Sequence, residues 1–288
     1  MSATFWTNTI WYVLLGILTL FELIFVMVKA ERRKLTFAFY LTILGITLNF
    51  EMIILIFMKA YAYYPMILKN PPLPFDDVLS GNLFSQSSVS ATVLLVTVLD
   101  LKYYWFFIFA GIYGIIEELF LTLGIYSQNW YRTWMTVVLL SAAFWIAKKM
   151  YAKMIRGIKP IFYYGYIYLA LFPLNIVILE WGVFILCRLQ DFNTILFPDP
   201  LSSRHFLALV NFWMLSIPIM LLYFLRLKWS WKALVIITIY AIYYLGYKLN
   251  LFIIKDGWFL PVSTLSIFWM YLSIVLLDRL YGGPQKKY

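Results

Sequence analysis

Carboxylates inside apolar segments are the residues of this sequence that could carry chemistry. Hydrophobic residues make up 64% of the 288 positions and charged residues only 12%. A carboxylate in hydrocarbon is costly unless it is protonated, paired or next to water. Such residues are therefore candidate sites for a proton, a cation or a polar solute. The acids within or at the edges of apolar stretches are Glu22, Glu51, Asp100, Glu117, Glu118, Glu180 and Asp278.

The apolar stretches have the length of membrane-spanning helices, because a bilayer core of roughly 30 Å requires about 20 apolar residues. The sequence predicts an all-α membrane protein, a polytopic helical bundle in one integral domain over 1–288. Eight spans is the alternative count, since the third and fifth are short and could be tilted or re-entrant. The nine predicted spans are 10–28, 36–58, 86–101, 104–125, 131–148, 160–186, 205–226, 231–250 and 259–280.

Basic residues predict the orientation of these spans. Sixteen of the 23 Lys and Arg residues fall in alternate loops and at the C-terminus, most densely in 29–34 and 148–159. The positive-inside rule then predicts the N-terminus outside and the C-terminus inside. Attraction to anionic lipid accounts for the net charge of +10, so we predict the bilayer, and no nucleic acid, as the partner of the basic residues.

Several chemical classes lose their usual support. A single cysteine, Cys187, and a single histidine, His205, exclude cysteine-rich and His-x-x-x-His metal motifs, and no phosphate-binding glycine loop occurs. We predict no metal, no cofactor and no enzyme activity. The segment from Asp199 to His205 alone combines acid, hydroxyl and imidazole side chains. Its simpler interpretation is a polar cap at the start of a helix.

Glu117 and Glu118 are the leading candidate pair. Gly111 and Gly114 share the helical face of Glu118, and small residues let another helix approach closely. At least one of the two carboxylates should therefore face the bundle interior. The functional interpretation is a proton or cation site. The alternative is a protonated carboxyl group hydrogen-bonded to a neighbouring Tyr, Ser or Thr.

The predicted topology places Glu51, the Glu117–Glu118 pair and Glu180 in the outer half of the bilayer. If their three helices pack together, the carboxylates would share one cavity and their charges would interact. Secondary candidates are Glu22, in the inner half, and two amides, Asn49 and Asn175. The remaining two acids, Asp100 and Asp278, lie near the cytoplasmic surface beside Lys102 and Arg279, and we expect them to be interfacial ion pairs or solvated groups.

Two further expectations concern the segments between spans. Residues 59–85 contain Asn-Pro-Pro-Leu-Pro and predict a turn-rich loop without helix. Aromatic residues at the predicted span ends, Tyr61, Tyr63 and Tyr64 among them, are expected to anchor the chain at the membrane interface. An aromatic cage for a ligand is the alternative.

Residues 101–151 resemble a family of membrane proteins. The matching residues are Leu101-Lys102-Tyr103-Tyr104-Trp105, Ile115-Ile116-Glu117-Glu118-Leu119-Phe120, Trp130-Tyr131-Arg132-Thr133-Trp134-Met135-Thr136 and Ala147-Lys148-Lys149-Met150-Tyr151. This pattern is similar to uncharacterised multi-pass inner-membrane proteins of spore-forming Firmicutes. The resemblance implies a cytoplasmic membrane and a role in sporulation or germination, and it draws attention to Glu117.

Two hypotheses about function follow. In the first, the bundle binds or transports a proton, a cation or a small solute through Glu51, Glu117, Glu118 and Glu180. In the second, it is a non-catalytic protein that organises lipids or a protein partner, or forms a homo-oligomer, and its buried acids only hold helices together. Residues 258–281 also echo 130–151 in layout, which is either an internal repeat, as in many transporters, or chance.

Overall fold

Helices dominate the computed structural model, which describes residues 4–225 and 227–283. Eight of the described helices, counted with their π-helical extensions, are long and apolar enough to cross a membrane, which confirms the predicted all-α polytopic bundle. Segments of π-helix extend three helices: Phe5–Thr9 before α1, Met52–Phe57 after α2 and Pro173–Ile185 after α6. The helices are α1 Ile10–Lys29, α2 Arg33–Glu51, α3 Pro74–Val98, α4 Tyr104–Thr122, α5 Thr133–Arg156, α6 Pro160–Phe172, α7 Pro200–Phe224, α8 Trp229–Lys248 and α9 Phe259–Tyr281.

Helix α3 is the one long helix in the described ranges that is not apolar enough to count among those eight. It has 25 residues, which is about 37 Å of helix. It packs against α1, α2, α4 and α5, and polar residues such as Ser88, Ser90 and Thr92 are buried in it. A helix surrounded by other helices does not need an apolar surface for lipid. This burial explains why the sequence supports both nine spans and eight.

The prediction that 59–85 contains no helix was wrong, because α3 begins at Pro74 rather than near residue 86. Proline suits the first turn of a helix, where its missing N–H has no partner to lose. The Asp76 carboxylate accepts a hydrogen bond from the Leu73 N–H at 2.9 Å, which caps the helix start. The turn residues of this segment therefore have two roles: some form the loop, and those at its end, such as Pro74 and Asp76, begin the helix.

Two short antiparallel ribbons, which no sequence pattern predicted, connect helix ends. Strand β1, Tyr61–Tyr63, pairs with β2, Tyr126–Gln128, with Ala62 opposite Ser127. Strand β3, Gln190–Phe192, pairs in the same way with β4, Phe252–Ile254. The β1–β2 ribbon joins the connection between α2 and α3 to the connection between α4 and α5. The β3–β4 ribbon joins the connection between α6 and α7 to the connection between α8 and α9. Each ribbon therefore holds the ends of its four helices together.

The chain forms two compact units. Unit 1 consists of Met1–Tyr166 and Leu280–Tyr288, and unit 2 consists of Ile167–Arg279. Unit 1 contains α1 to α5, the first part of α6 and the ribbon β1–β2. Unit 2 contains the rest of α6, α7, α8, nearly all of α9 and the ribbon β3–β4. The single domain predicted from the sequence stays a prediction.

Residues 33–156 and 160–281 repeat one order of elements: a helix with a π-helical end, a strand, two helices, a strand and a final helix. Left-handed residues precede corresponding strands, Lys59 before β1 and Arg188 before β3. The hydrogen bond from the Asn129 N–H to the Ala60 carbonyl, 2.8 Å, has its counterpart between Lys255 and Leu189, 3.0 Å. These correspondences support an internal duplication, and the similar segments 130–151 and 258–281 lie mainly in its two final helices, α5 and α9.

Candidate functional site

Unit 1 contains a cavity of about 340 Å³ between its helices and the β1–β2 ribbon. Its walls are mostly apolar, with side chains such as Leu15, Ile46, Phe50 and Leu140. Two of the predicted acids, Glu51 and Glu117, line the same cavity. The other polar side chains lining it are Thr47, Tyr61, Tyr63, Ser85, Gln86, Tyr113, Tyr126, Tyr131 and Thr136.

Glu51 enters the cavity from the last residue of α2, where the helix changes to π-helical geometry. The side chain is buried, with 6% of the residue exposed. The Tyr61 hydroxyl from β1 donates to both carboxylate oxygens, at 2.5 and 2.6 Å. Hydrogen bonds to a charged acceptor are short and strong, so Tyr61 holds this carboxylate in place within an apolar wall.

Glu117 reaches the cavity from α4 and has donors from two other elements. The Gln128 amide of β2 donates to one carboxylate oxygen at 2.6 Å, and the Thr136 hydroxyl of α5 donates to the other at 2.5 Å. Glu118 is exposed on the surface of unit 1 and does not line the cavity. The two adjacent acids therefore have different surroundings, and Glu117 is the one that faces the interior.

Four tyrosines, Tyr61, Tyr63, Tyr126 and Tyr131, form a cluster beside the two acids, here called the tyrosine cluster. Ring centroids lie 5.1 Å apart for Tyr61 and Tyr131 and 5.1 Å apart for Tyr63 and Tyr126. Burial raises the pKa of Tyr61, Tyr63 and Tyr126 well above the usual tyrosine range, and it raises the pKa of Tyr131 to about 12. The cluster therefore presents neutral hydroxyl groups and aromatic rings to the cavity.

Sequence reasoning favoured interfacial anchoring for Tyr61 and Tyr63 and gave an aromatic cage only as the alternative, so it did not predict this cluster. Both side chains are buried, whereas the neighbouring Tyr64 is exposed. The alternation of Tyr61 and Tyr63 around Ala62 was the available signal. Side chains two residues apart in a strand point to the same face, so a strand at this place would have put both rings on one side.

Glu22 is buried in unit 1 but does not line the cavity. The Thr92 hydroxyl of α3 lies 2.9 and 2.8 Å from its two oxygens. The same hydroxyl lies 2.8 Å from the Tyr113 hydroxyl, which in turn lies 2.8 Å from Ser88 Oγ. This chain of hydrogen bonds joins α1, α3 and α4, and it reaches the cavity only through Tyr113.

The two secondary amide candidates each donate a hydrogen bond within their own helical segment. Asn49 donates to the Gly45 carbonyl at 2.7 Å, and Asn175 donates to the Leu171 carbonyl at 3.0 Å. Each amide therefore uses a donor on a backbone carbonyl one turn earlier. Neither residue lines the cavity.

Glu180 belongs to unit 2, where it lies in the π-helical segment after α6. It is buried, and the Asn211 amide of α7 donates to one of its oxygens. Of the acids that were expected to share one cavity, the structure brings Glu51 and Glu117 to the cavity of unit 1. Glu118 and Glu180 are not among its lining residues.

The two remaining acids of the apolar stretches, Asp100 and Asp278, make contacts within their own units. Asp100 forms an ion pair, as one of the two expectations had it, and its partner is Lys148 at 2.8 Å. The Tyr223 hydroxyl donates to the Asp278 carboxylate at 2.7 Å. Since Asp100 follows the end of α3 and Lys148 lies within α5, this ion pair joins the end of one helix to the side of another.

The segment from Asp199 to His205 forms the first turns of α7. The Asp199 carboxylate accepts hydrogen bonds from the N–H and the hydroxyl of Ser202, as expected for a helix cap. Arg204 forms an ion pair with Asp191 at 2.6 Å. His205 Nδ1 lies 2.8 Å from the Leu201 carbonyl. These contacts agree with the polar cap that was the simpler interpretation of the segment.

Comparisons with known proteins add no functional assignment to this geometry. No family model, no curated protein and no solved structure matches the chain at a significant level. The cavity of unit 1 and its two carboxylates are therefore the features of the molecule that bear on function.

Proposed function

We propose that this protein is a multi-pass protein of the cytoplasmic membrane that binds a small organic cation, an amine with an apolar body, and moves it across the bilayer. The observation that carries the proposal is the presence of Glu51 and Glu117 in one mostly apolar cavity of about 340 Å³. That volume lies at the small end of the range for small-molecule sites, about 300–1,000 Å³.

The chemistry of the cavity favours a positive charge on the ligand. Both carboxylates are held by neutral donors, namely a tyrosine hydroxyl, an amide and a threonine hydroxyl, and a carboxylate oxygen can accept more than one hydrogen bond. An ammonium group placed between them would be attracted by both. The rings of the tyrosine cluster would add cation–π attraction, which gains strength where water is excluded.

A binding experiment on the purified full-length chain tests the proposal. We expect phenethylamine to raise the thermal unfolding temperature and to bind with a Kd measurable by calorimetry, whereas 2-phenylethanol, its neutral analogue, should do neither. Glu51→Gln and Glu117→Gln should each weaken amine binding at least tenfold, because each removes one charge from the cavity.

Glu118→Gln is the matched control, because it makes the same chemical change at the adjacent, exposed position. Wild-type affinity in this variant is expected. Equal binding of the amine and the alcohol, or wild-type affinity in Glu117→Gln, would contradict the proposal. Uptake of radiolabelled amine into proteoliposomes, in excess of the uptake into protein-free liposomes, then separates transport from binding alone, because the neutral amine also crosses lipid unaided.

The second candidate function is a structural one, in which buried acids hold helices together for a protein that organises lipids or a partner. The hydrogen bonds from Thr92 to both oxygens of Glu22 favour it, because that carboxylate joins two helices and does not line the cavity. In this case Glu51→Gln and Glu117→Gln would lower stability without changing any amine binding. A role in sporulation or germination, which the family resemblance implies, is compatible with either function.

A further inference from the structure

Unit 2 contains a cluster of buried polar side chains that have no role in the proposed function. Its members are Glu180 from the π-helical segment, Gln190 from β3, Asn211 from α7 and Tyr243 from α8, here called the Glu180 cluster. The exposed fractions are 4%, 2%, 0% and 0%. Four elements of unit 2 therefore bring polar atoms to one place in its interior.

The hydrogen bonds of the Glu180 cluster leave oxygen acceptors without donors. The Asn211 amide nitrogen donates to one oxygen of Glu180, which fixes the orientation of the amide and makes its other atom the oxygen. Within the described residues, the second oxygen of Glu180, Asn211 Oδ1 and both polar atoms of the Gln190 amide, Oε1 and Nε2, have no hydrogen-bond partner. Buried polar atoms are nearly always paired, so three such oxygens in one cluster point to a ligand.

The Tyr243 hydroxyl adds a fourth oxygen. It donates to Ser266 Oγ at 3.2 Å, so its own lone pairs remain available as acceptors. The side chains of Asn211 and Gln190 lie beside this hydroxyl, and Glu180 is close enough to interact with it electrostatically. The cluster thus combines one carboxylate, two amide carbonyls and one hydroxyl.

The internal duplication shows how this site differs from the one in unit 1. Glu180 stands ten residues before Gln190, the first residue of β3, just as Glu51 stands ten residues before Tyr61, the first residue of β1. In unit 1 the strand residue supplies a hydroxyl donor to the acid. In unit 2 the corresponding residue is an amide whose oxygen has no partner in the described part of the chain. The same scaffold carries a hydroxyl donor in one copy and, in the other, an amide whose nitrogen is also without a partner among the described residues.

We infer that the Glu180 cluster binds a small monovalent inorganic cation. Na⁺ is the ion proposed, because it prefers oxygen ligands and the cluster offers oxygen atoms. A proton on Glu180 would pair its own oxygen with at most one of the other two oxygens and leave one without a partner, whereas a coordinated cation would interact with all three. The single carboxylate balances a single positive charge. Divalent ions in proteins usually take more carboxylates, and the described residues contain no group of three or more His, Cys, Asp or Glu side chains that could hold a metal ion.

Thermal unfolding of the full-length chain in different salts tests the inference. The measurement uses the Glu51→Gln, Glu117→Gln double variant as background, so that the cavity of unit 1 keeps neither of its two carboxylates and a failure of the proposed function does not affect the result. At constant ionic strength, NaCl should raise Tm relative to N-methylglucamine chloride in a saturable way. The expected rise is roughly 5 °C at a hundredfold excess over Kd.

Two variants identify the ligands. Glu180→Gln keeps the shape of the side chain and removes its charge, so the sodium-dependent rise in Tm should disappear. Gln190→Met removes one oxygen ligand and should increase the Kd for Na⁺ about tenfold or more while the chain still folds. Glu118→Gln is the control and should keep the full effect.

Three results would overturn the inference. The first is the same Tm in NaCl, KCl and N-methylglucamine chloride. The second is a sodium effect that persists in both Glu180→Gln and Gln190→Met. The third is a Tm that depends on pH through Glu180 but not on Na⁺, which would assign a proton to the cluster instead of a metal ion.

Discussion

Replacing Tyr61 with phenylalanine tests whether the cavity of unit 1 depends on the hydrogen bonds to Glu51. The substitution keeps the ring and its contacts with Tyr126 and Tyr131, and it removes only the hydroxyl that donates to both carboxylate oxygens. Loss of a hydrogen bond to a buried charged group costs about 1.5–3 kcal/mol of unfolding free energy. For a chain of this size class, that corresponds to a fall of roughly 3–12 °C in Tm.

Thermal unfolding followed by intrinsic fluorescence is a suitable assay, because the chain contains 12 tryptophans. Tyr64→Phe is the matched control, since the Tyr64 hydroxyl pairs with Ser127 at 3.0 Å on the exposed side of the same ribbon. Its removal should change the unfolding free energy by about 0.5 kcal/mol or less.

The double variant Glu51→Gln, Tyr61→Phe completes a cycle. If the Tyr61 hydroxyl acts through the carboxylate, the two substitutions should not be additive, and the coupling energy should be about 0.5–3 kcal/mol. Equal Tm values for Tyr61→Phe and Tyr64→Phe, or additive effects in the double variant, would refute the reasoning.

Three other predictions concern packing, an ion pair and pH. Gly246→Ala should cost about 1–3 kcal/mol, because the added Cβ would lie 2.7 Å from a ring carbon of Phe252, whereas Gly111→Ala, with open space at that position, should cost nothing measurable by thermal unfolding. Asp191→Ala should cost about 2–4 kcal/mol in the same assay, since it removes the carboxylate from the buried guanidinium of Arg204, and a loss below about 1 kcal/mol would contradict this. Burial raises the pKa of the tyrosine cluster above the ordinary value near 10, so the folded chain keeps protons that the unfolded chain releases and its unfolding free energy should fall as pH rises from 10 to 12. Tyrosinate absorbance at 295 nm should then remain incomplete at pH 12 until the chain unfolds, and complete ionisation of the folded chain at pH 11 would contradict the burial of the cluster.

The sequence predicts most helix positions because membrane helices carry their signal locally. Helix α4 begins at Tyr104 and α9 at Phe259, the residues where the apolar runs predict them. Helix α3 is the exception, since its first three turns are polar and its apolar run covers only the second half. Three-residue strands such as Tyr61–Tyr63 are too short for a periodic pattern to reveal them.

The candidate site was predictable only in part. The position of Glu51 and Glu117 within apolar runs identifies them as candidates, because a buried carboxylate is costly unless it has hydrogen-bond donors, a counter-charge or a proton. Glu117 and Glu118 could not be separated, since spacing alone does not fix the rotation of α4 about its axis. The contact between Tyr61 and Glu51 depends on how the ribbon folds back onto α2, which no local pattern encodes. The location of Glu180 in unit 2 depends on the tertiary structure in the same way.

The polarity of α3 has a consequence for how the protein enters the membrane. A segment with this many Ser, Thr, Gln and Asn side chains partitions poorly into lipid by itself, because each polar group would be exposed to hydrocarbon. In the folded chain α3 packs against α1 and α2, and Thr92 finds a partner in Glu22 of α1. Helices α1 and α2 therefore provide contacts for the polar side chains of α3 that lipid cannot provide. A substitution at Glu22 is therefore expected to act during biogenesis. It should increase the fraction of chains in which α3 remains outside the bilayer.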